Sequence, residues 1–143
     1  MKRFEFRLER ALRVRRAQLQ AAQVMLQQHL GNERGFRNLL AGTLDDRIAA
    51  LRNLQDEDEI GYRELSALSV YVRSLHTRAA GLERDVEQTL QLIREQRNRV
   101  LALQREERLL TELRDKKKAE WEHQIDQEFE EVARQSRRRA SYK

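Results

Sequence analysis

Proline is absent from this sequence, and so is cysteine. Without proline, nothing in the backbone forbids a helix from running unbroken for tens of residues. Without cysteine there is no disulfide framework and no thiolate site, and redox compartment cannot be read from cysteine usage. Glycine is scarce, five among 143 residues, and each stands alone, so no Gly-rich phosphate loop can be built. Aromatic residues make up only 6% of the chain, fewer than a compact core of this size would carry. No apolar run approaches the roughly 18 residues that a membrane span needs. Lys2-Arg3-Phe4-Glu5-Phe6-Arg7 leads into no apolar h-region, so no secretory signal is expected, and a soluble intracellular protein is the default.

What the chain does have is charge, 37% of its residues, and a repeating apolar seam. Leu65, Leu68, Val72, Leu75, Ala79, Leu82, Val86, Ile93, Val100, Leu103 and Leu110 fall at alternating three- and four-residue steps. Only Thr89, Gln96 and Glu107 interrupt them. Apolar residues every 3.5 positions mark a helix that winds around a partner helix. Proline-free, Leu/Arg/Glu/Gln-rich composition agrees.

A poorer seam precedes it. Phe4, Leu8, Leu12, Leu19, Ala22, Leu26, Phe36, Leu40, Ala50 and Leu54 keep the same spacing, with Arg15, His29, Glu33, Thr43 and Arg47 in the remaining places. Leu30, Leu39, Leu44, Ile48 and Leu51 flank it. Gly31, Gly35 and Gly42 lie inside this arm, and each costs about 1 kcal/mol relative to alanine, so a bend or fraying between Gly31 and Gly42 is expected.

Between the seams the heptad phase is lost, over Gln55-Asp56-Glu57-Asp58-Glu59-Ile60-Gly61-Tyr62-Arg63-Glu64. Gly61 suits a turn through a left-handed conformation, and the acids suit the N-terminus of a following helix. Two comparable seams flanking one loss of phase predict an all-α fold. It is an antiparallel two-helix coiled-coil hairpin with a longer C-terminal helix. The expected limits are a first arm over about 4–57, a turn within 55–64, a second arm over about 65–134 and a frayed basic tail over 135–143. Position i then faces about 120 − i, so that Phe4 falls opposite Lys116 and Leu54 opposite Ser66. At 1.5 Å per residue the arms span roughly 80 and 105 Å, and the second overhangs the first.

After Leu110 the apolar spacing shifts to four-residue steps through Leu113, Lys117, Trp121, Ile125, Phe129 and Val132, a stutter. Trp121, Ile125, Phe129 and Val132 then form one stripe with no partner inside the hairpin, as protein contacts do. Charge is segregated as well. Residues 1–16 hold seven basic against two acidic side chains, 7 − 2 = +5. Asp56-Glu57-Asp58-Glu59 is −4, and residues 134–143 are +5. The fold-back brings Arg7, Arg10 and Arg13 beside Lys116, Lys117 and Lys118 at the open end, opposite the acidic turn. Such polarity suits oriented docking between two different partners.

No catalytic chemistry is expected. His29, His76 and His123 are scattered, and His123 with Asp126 makes an incomplete metal site. A two-helix hairpin offers no pocket to desolvate paired carboxylates or a Ser-His-Asp set. Catalytic residues, cofactors and metals are therefore none. Acids interleaved along both arms and the lack of stacking aromatics argue against nucleic acid as a partner. Arg137-Arg138-Arg139-Ala140-Ser141 has the form of a basophilic kinase site, which a basic tail also produces by chance.

At Phe4-Glu5-Phe6-Arg7-Leu8-Glu9-Arg10-Ala11-Leu12-Arg13-Val14-Arg15 the chain resembles the opening of the FliJ family of flagellar type III export proteins. Gly61, Glu64-Leu65, Tyr71-Val72 and Leu75 are similar to the family's turn and second arm. Glu107-Arg108-Leu109-Leu110, Lys116-Lys117, Trp121 and Phe129-Glu130-Glu131-Val132-Ala133 are similar to its end. The resemblance spans nearly the whole chain, and the order and spacing of degenerate motifs carry it. It implies a stalk of the hexameric export ATPase (FliI-like). It also implies contact with the cytoplasmic domain of the export gate (FlhA-like) and with export chaperones. The location implied is cytoplasmic, peripheral to the inner membrane at the flagellar base and held there through partners.

The gate contact implied is Tyr71 with Leu75, the same face being extended by Arg78 and Leu82; Arg78 stands where the family has a small residue. The ATPase-facing end expected is the basic cluster Arg7, Arg10, Arg13, Lys116, Lys117 and Lys118 with the stripe Trp121, Ile125, Phe129 and Val132. The alternatives are the central stalk of a virulence-type III secretion system and a generic structural coiled-coil homodimer.

Overall fold

A computed structural model describes residues 2–56 and 61–142. The fold is all-α: helix α1 covers Glu9–Asp56, 48 residues, and helix α2 covers Tyr62–Ser141, 80 residues. Two compact units divide the chain, one formed by Ala22–Arg99 and the other by Met1–Ala21 with Val100–Lys143.

In the unit of residues 22–99, the two helices pair along the alternating seam. Ala22, Thr43, Ala50, Leu75, Ala79, Leu82, Thr89, Ile93 and Gln96 are buried. Leu26, His29, Glu33, Phe36, Leu40, Arg47 and Leu54 of α1 and Leu68, Val72 and Val86 of α2 are half-buried at the steps between. Each buried polar group on this seam is satisfied locally or across it. Thr43 and Thr89 donate their hydroxyls to the carbonyls of Leu39 and Asp85, one turn back, at 2.8 and 2.7 Å. Gln96 donates its side-chain amide across to the Ala22 carbonyl at 2.9 Å. Arg47 is the exception, since its buried Nε has no hydrogen-bond partner among the described residues.

The first helix passes Gly31, Gly35 and Gly42 without a break. The glycines face open space, and the seam on the opposite face continues across them. Gly61 does not adopt a positive φ, contrary to expectation. Its carbonyl instead accepts the Leu65 N–H at 3.0 Å, so it serves as the N-cap of α2, a position that glycine tolerates. Glu57, Asp58, Glu59 and Ile60, the heart of the expected turn, lie outside the described residues.

In the other unit, α1 and α2 run antiparallel, since partners descend in α2 as they ascend in α1. Glu9 pairs with Arg114 at 3.1 Å, and Arg16 with Glu107 at 3.2 Å. Leu12 is fully buried on the α1 side of the seam, and Val100 and Leu103 are buried on the α2 side. The helix does not begin near Phe4. It begins at Glu9, where Leu8 caps it by accepting the Leu12 N–H at 2.9 Å. A helical start would set Lys2, Arg3 and Arg7 at the positive end of the macrodipole, whereas Glu9 in the first turn is favoured there. Residues 2–6 are non-helical instead, with Phe4 and Phe6 half-buried and Arg3, Glu5 and Arg7 exposed, the alternation of a strap lying on a surface.

The far end also departs from the sequence reading. Helix α2 runs to Ser141, well past Arg134, supported by the Arg134–Glu130 pair at 3.8 Å and by basic residues in its last turn. The stutter falls later than Leu110. Leu110, Arg114 and Trp121 keep the heptad and are half-buried, Lys117 is exposed, and the four-residue step comes between Trp121 and Ile125.

Candidate docking surfaces

The first candidate surface belongs to the unit of residues 1–21 and 100–143. The strap brings the Phe4 ring to 5.8 Å from Trp121, centroid to centroid, tilted by 51°. Edge-tilted pairs at this separation are favourable beyond the area they bury. Trp121 therefore has a partner within the chain, which corrects the expectation that it overhangs free. The expected opposition of Phe4 and Lys116 is corrected with it. Glu9–Arg114 and Arg16–Glu107 set a register of 123 − i, which puts position 4 opposite 119, and the non-helical strap carries Phe4 about two residues further, to Trp121.

Strap and helix enclose a groove of about 530 Å³ with Phe4, Phe6, Leu113 and Trp121 in its lining. Lys2, Arg3, Arg7 and Lys117 line it as well, against Glu5 and Glu120. Arg10, Arg13, Lys116 and Lys118 are exposed. Arg13 lies 4.0 Å from Glu9 and Lys117 lies 3.5 Å from Glu120, at i, i+4 and i, i+3 spacing. Exposed pairs of this kind are worth little, so the cluster keeps its positive field.

Beyond Trp121, the stripe is left open as expected. Ile125 is half-buried, while Phe129 and Val132 are 52% and 60% exposed. Together with Glu128 they line a shallow apolar groove on α2.

Behind this end sits an ionic layer that the sequence reading did not single out. Arg15 lies 3.1 Å from Glu106, and Arg16 donates to Glu107 at 3.2 Å. Thr111 donates to the same carboxylate at 2.9 Å. The Thr111 hydroxyl foremost, and then the Arg16 guanidinium, hold the Glu107 carboxyl below its ordinary range. Glu107 thus interrupts the apolar seam without leaving a charge unpaired. The signal was present in the sequence as opposite charges recurring at antiparallel positions, Glu9 with Arg114 and Arg16 with Glu107.

The second candidate surface lies in the unit of residues 22–99. Tyr71 is 46% exposed, and Arg78, two turns on, shares its face and is exposed. Leu75 and Leu82 are buried at 5% and 8% against α1. They fill the seam and cannot present a contact, which removes them from the gate-facing set.

No group of residues fit to hold a metal occurs among the described residues. His29 is half-buried on the seam, and His123 Nε2 lies 3.1 Å from the Gln127 amide nitrogen, from which it can only accept, instead of meeting Asp126. No described helix is long and apolar enough to cross a membrane. The chain matches no protein-family model, no curated protein and no solved structure.

Proposed function

We propose that this chain is a non-enzymatic adaptor of a type III protein export apparatus, docking by its strap-and-stripe end into a hexameric export ATPase as a stalk. One observation supports this reading above the others. A single end gathers a basic cluster, an aromatic pair and an exposed apolar stripe within one unit. An apolar anchor inside a charged rim is how interfaces concentrate energy, and a positive end is drawn to a ring lined with carboxylates. The resemblance to the FliJ family supplies the identity of that ring and adds the export gate and export chaperones as further partners. Tyr71 and Arg78 are the residues proposed to face the gate. Location at the flagellar base, peripheral to the inner membrane, follows from those partners.

A pull-down with the full chain from a motile bacterium, read for a hexameric ATPase, tests the proposal. Recovery of that ATPase, reduced by Arg10→Glu with Arg13→Glu more at low salt than at high, is the expected result. A full chain that recovers no ATPase would remove the reading.

A further inference from the structure

Past Trp121, α2 carries Ile125, Phe129, Val132 and Ser136 at steps of four, three and four residues, one face of a helix. The face is followed by no segment of α1 among the described residues. Its charge is divided along the axis. Residues 120–131 hold Glu120, Glu122, Asp126, Glu128, Glu130 and Glu131 and no Lys or Arg, a balance of −6. Residues 132–141 hold Arg134, Arg137, Arg138 and Arg139 and no acid, +4. Arg134 already reaches Glu130 within the helix, while no ion pair is made by Arg137, Arg138 or Arg139 among the described residues.

We infer that this helix end pairs antiparallel with the same segment of a second copy. The occupant follows from the charge. A parallel, in-register pair would set each acid against its own duplicate, and the acidic half against itself. Antiparallel pairing with Phe129 opposite Val132 sets residues 120–129, −4, against residues 132–141, +4, twice over. Arg139 then faces Glu122, Arg138 falls beside Glu122, and Arg134 falls between Asp126 and Glu128. Ile125 faces Ser136. Glu130 and Glu131 stand about 100° and 200° around the helix from Phe129 and so clear the seam. Like charges opposed across a contact exclude the parallel form, and opposite charges fix the register. The seam of the hairpin itself takes no part, being filled within one chain. Self-pairing and ATPase docking use the same stripe and therefore compete, but the inference stands apart from the docking reading because its test involves one protein.

Sedimentation equilibrium of the full chain, from about 1 to about 100 μM, reads the association directly. A reversible monomer–dimer equilibrium is expected, at least tenfold weaker at about 1 M salt, where charges are screened within about 3 Å. Phe129→Ala with Val132→Ala should leave a monomer whose circular dichroism is that of the parent, since both side chains are exposed. The quadruple change Arg134→Glu, Arg137→Glu, Arg138→Glu, Arg139→Glu should be monomeric alone, and so should Glu122→Arg, Asp126→Arg, Glu128→Arg. Mixed in equal amounts, the two should form a heterodimer. A parent chain that stays monomeric throughout this range would overturn the inference. So would a dimer that these changes leave intact.

Discussion

Replacing Gln96 by alanine and by leucine should change stability in opposite directions. Gln96 is buried on the seam and donates to the Ala22 carbonyl at 2.9 Å. As a residue inside α1, Ala22 has a helical partner for its carbonyl as well, so deleting the amide orphans nothing. Gln96→Ala loses a bond worth about 1 kcal/mol net and one buried methylene worth about 0.8 kcal/mol. A destabilisation of about 2 kcal/mol follows from the two terms. Gln96→Leu loses the same bond, whose net figure already contains the desolvation of the amide. It adds about two buried carbons at about 0.8 kcal/mol each. A stabilisation of about 0.5 kcal/mol remains. Urea unfolding followed by far-ultraviolet circular dichroism measures both. The polar residue then serves register, not strength, as single buried polar groups do in other coiled coils. Spin labels at Gln23 and Arg97 should give one narrow distance distribution in the parent and a broader one in Gln96→Leu. If leucine destabilises as much as alanine, the hydrogen bond outweighs burial on this seam and the reasoning fails.

Leu12 is fully buried and Leu8 is 37% exposed, so Leu12→Ala should cost about 2–4 kcal/mol and Leu8→Ala under about 1 kcal/mol in the same unfolding assay. Glu107 has a folded carboxyl value lowered by Thr111 and Arg16, so its contribution is present above the unfolded carboxylate value and is lost as pH falls through the folded one. Glu107→Gln should therefore flatten the acid limb of stability against pH while changing little near neutrality beyond a constant offset, measured by thermal melts across that window. Trp121→Ala removes the ring on which Phe4 rests, and limited trypsin digestion should then cut after Arg3 and Arg7 faster than in the parent, with cleavage within α1 unchanged.

The seam was readable from Leu12 to Leu54 and from Leu68 to Leu110, because burial in a helix pair imposes a period that side chains must obey, while Leu8 and Leu65, also placed on it, are 37% and 47% exposed. Arg15, His29, Glu33 and Arg47 occupy seam places on spacing alone, and all four are half-buried there. Polar residues at those places did not hide the period. The strap was not readable, because Phe4 and Leu8 fit the heptad as well as an extended segment does. Only the positive charge of Lys2, Arg3 and Arg7 at a helix N-terminus argued otherwise. Gly61 misled for a related reason: glycine permits a left-handed turn and an N-cap alike, and composition does not choose between them. Arg114 was passed over for Leu113 because apolar residues alone were counted, yet its Nε is buried beside Glu9. The face proposed for the gate joins exposed Tyr71 and Arg78 to buried Leu75 and Leu82. Spacing marked Leu75 and Leu82 as seam residues, and a residue cannot fill the seam and face a partner at once.

The strap-and-stripe end is proposed to engage a hexameric export ATPase. The most direct measurement is the ATP hydrolysis rate of that hexamer, titrated with the full chain below the concentration at which the chain pairs with itself. A saturable rise in rate is expected. Trp121→Ala with Phe129→Ala should abolish the rise while the helices stay folded, and Tyr71→Ala should leave it unchanged. A rate unmoved by the full chain, or stimulated equally by the Trp121→Ala, Phe129→Ala variant, would contradict the proposal.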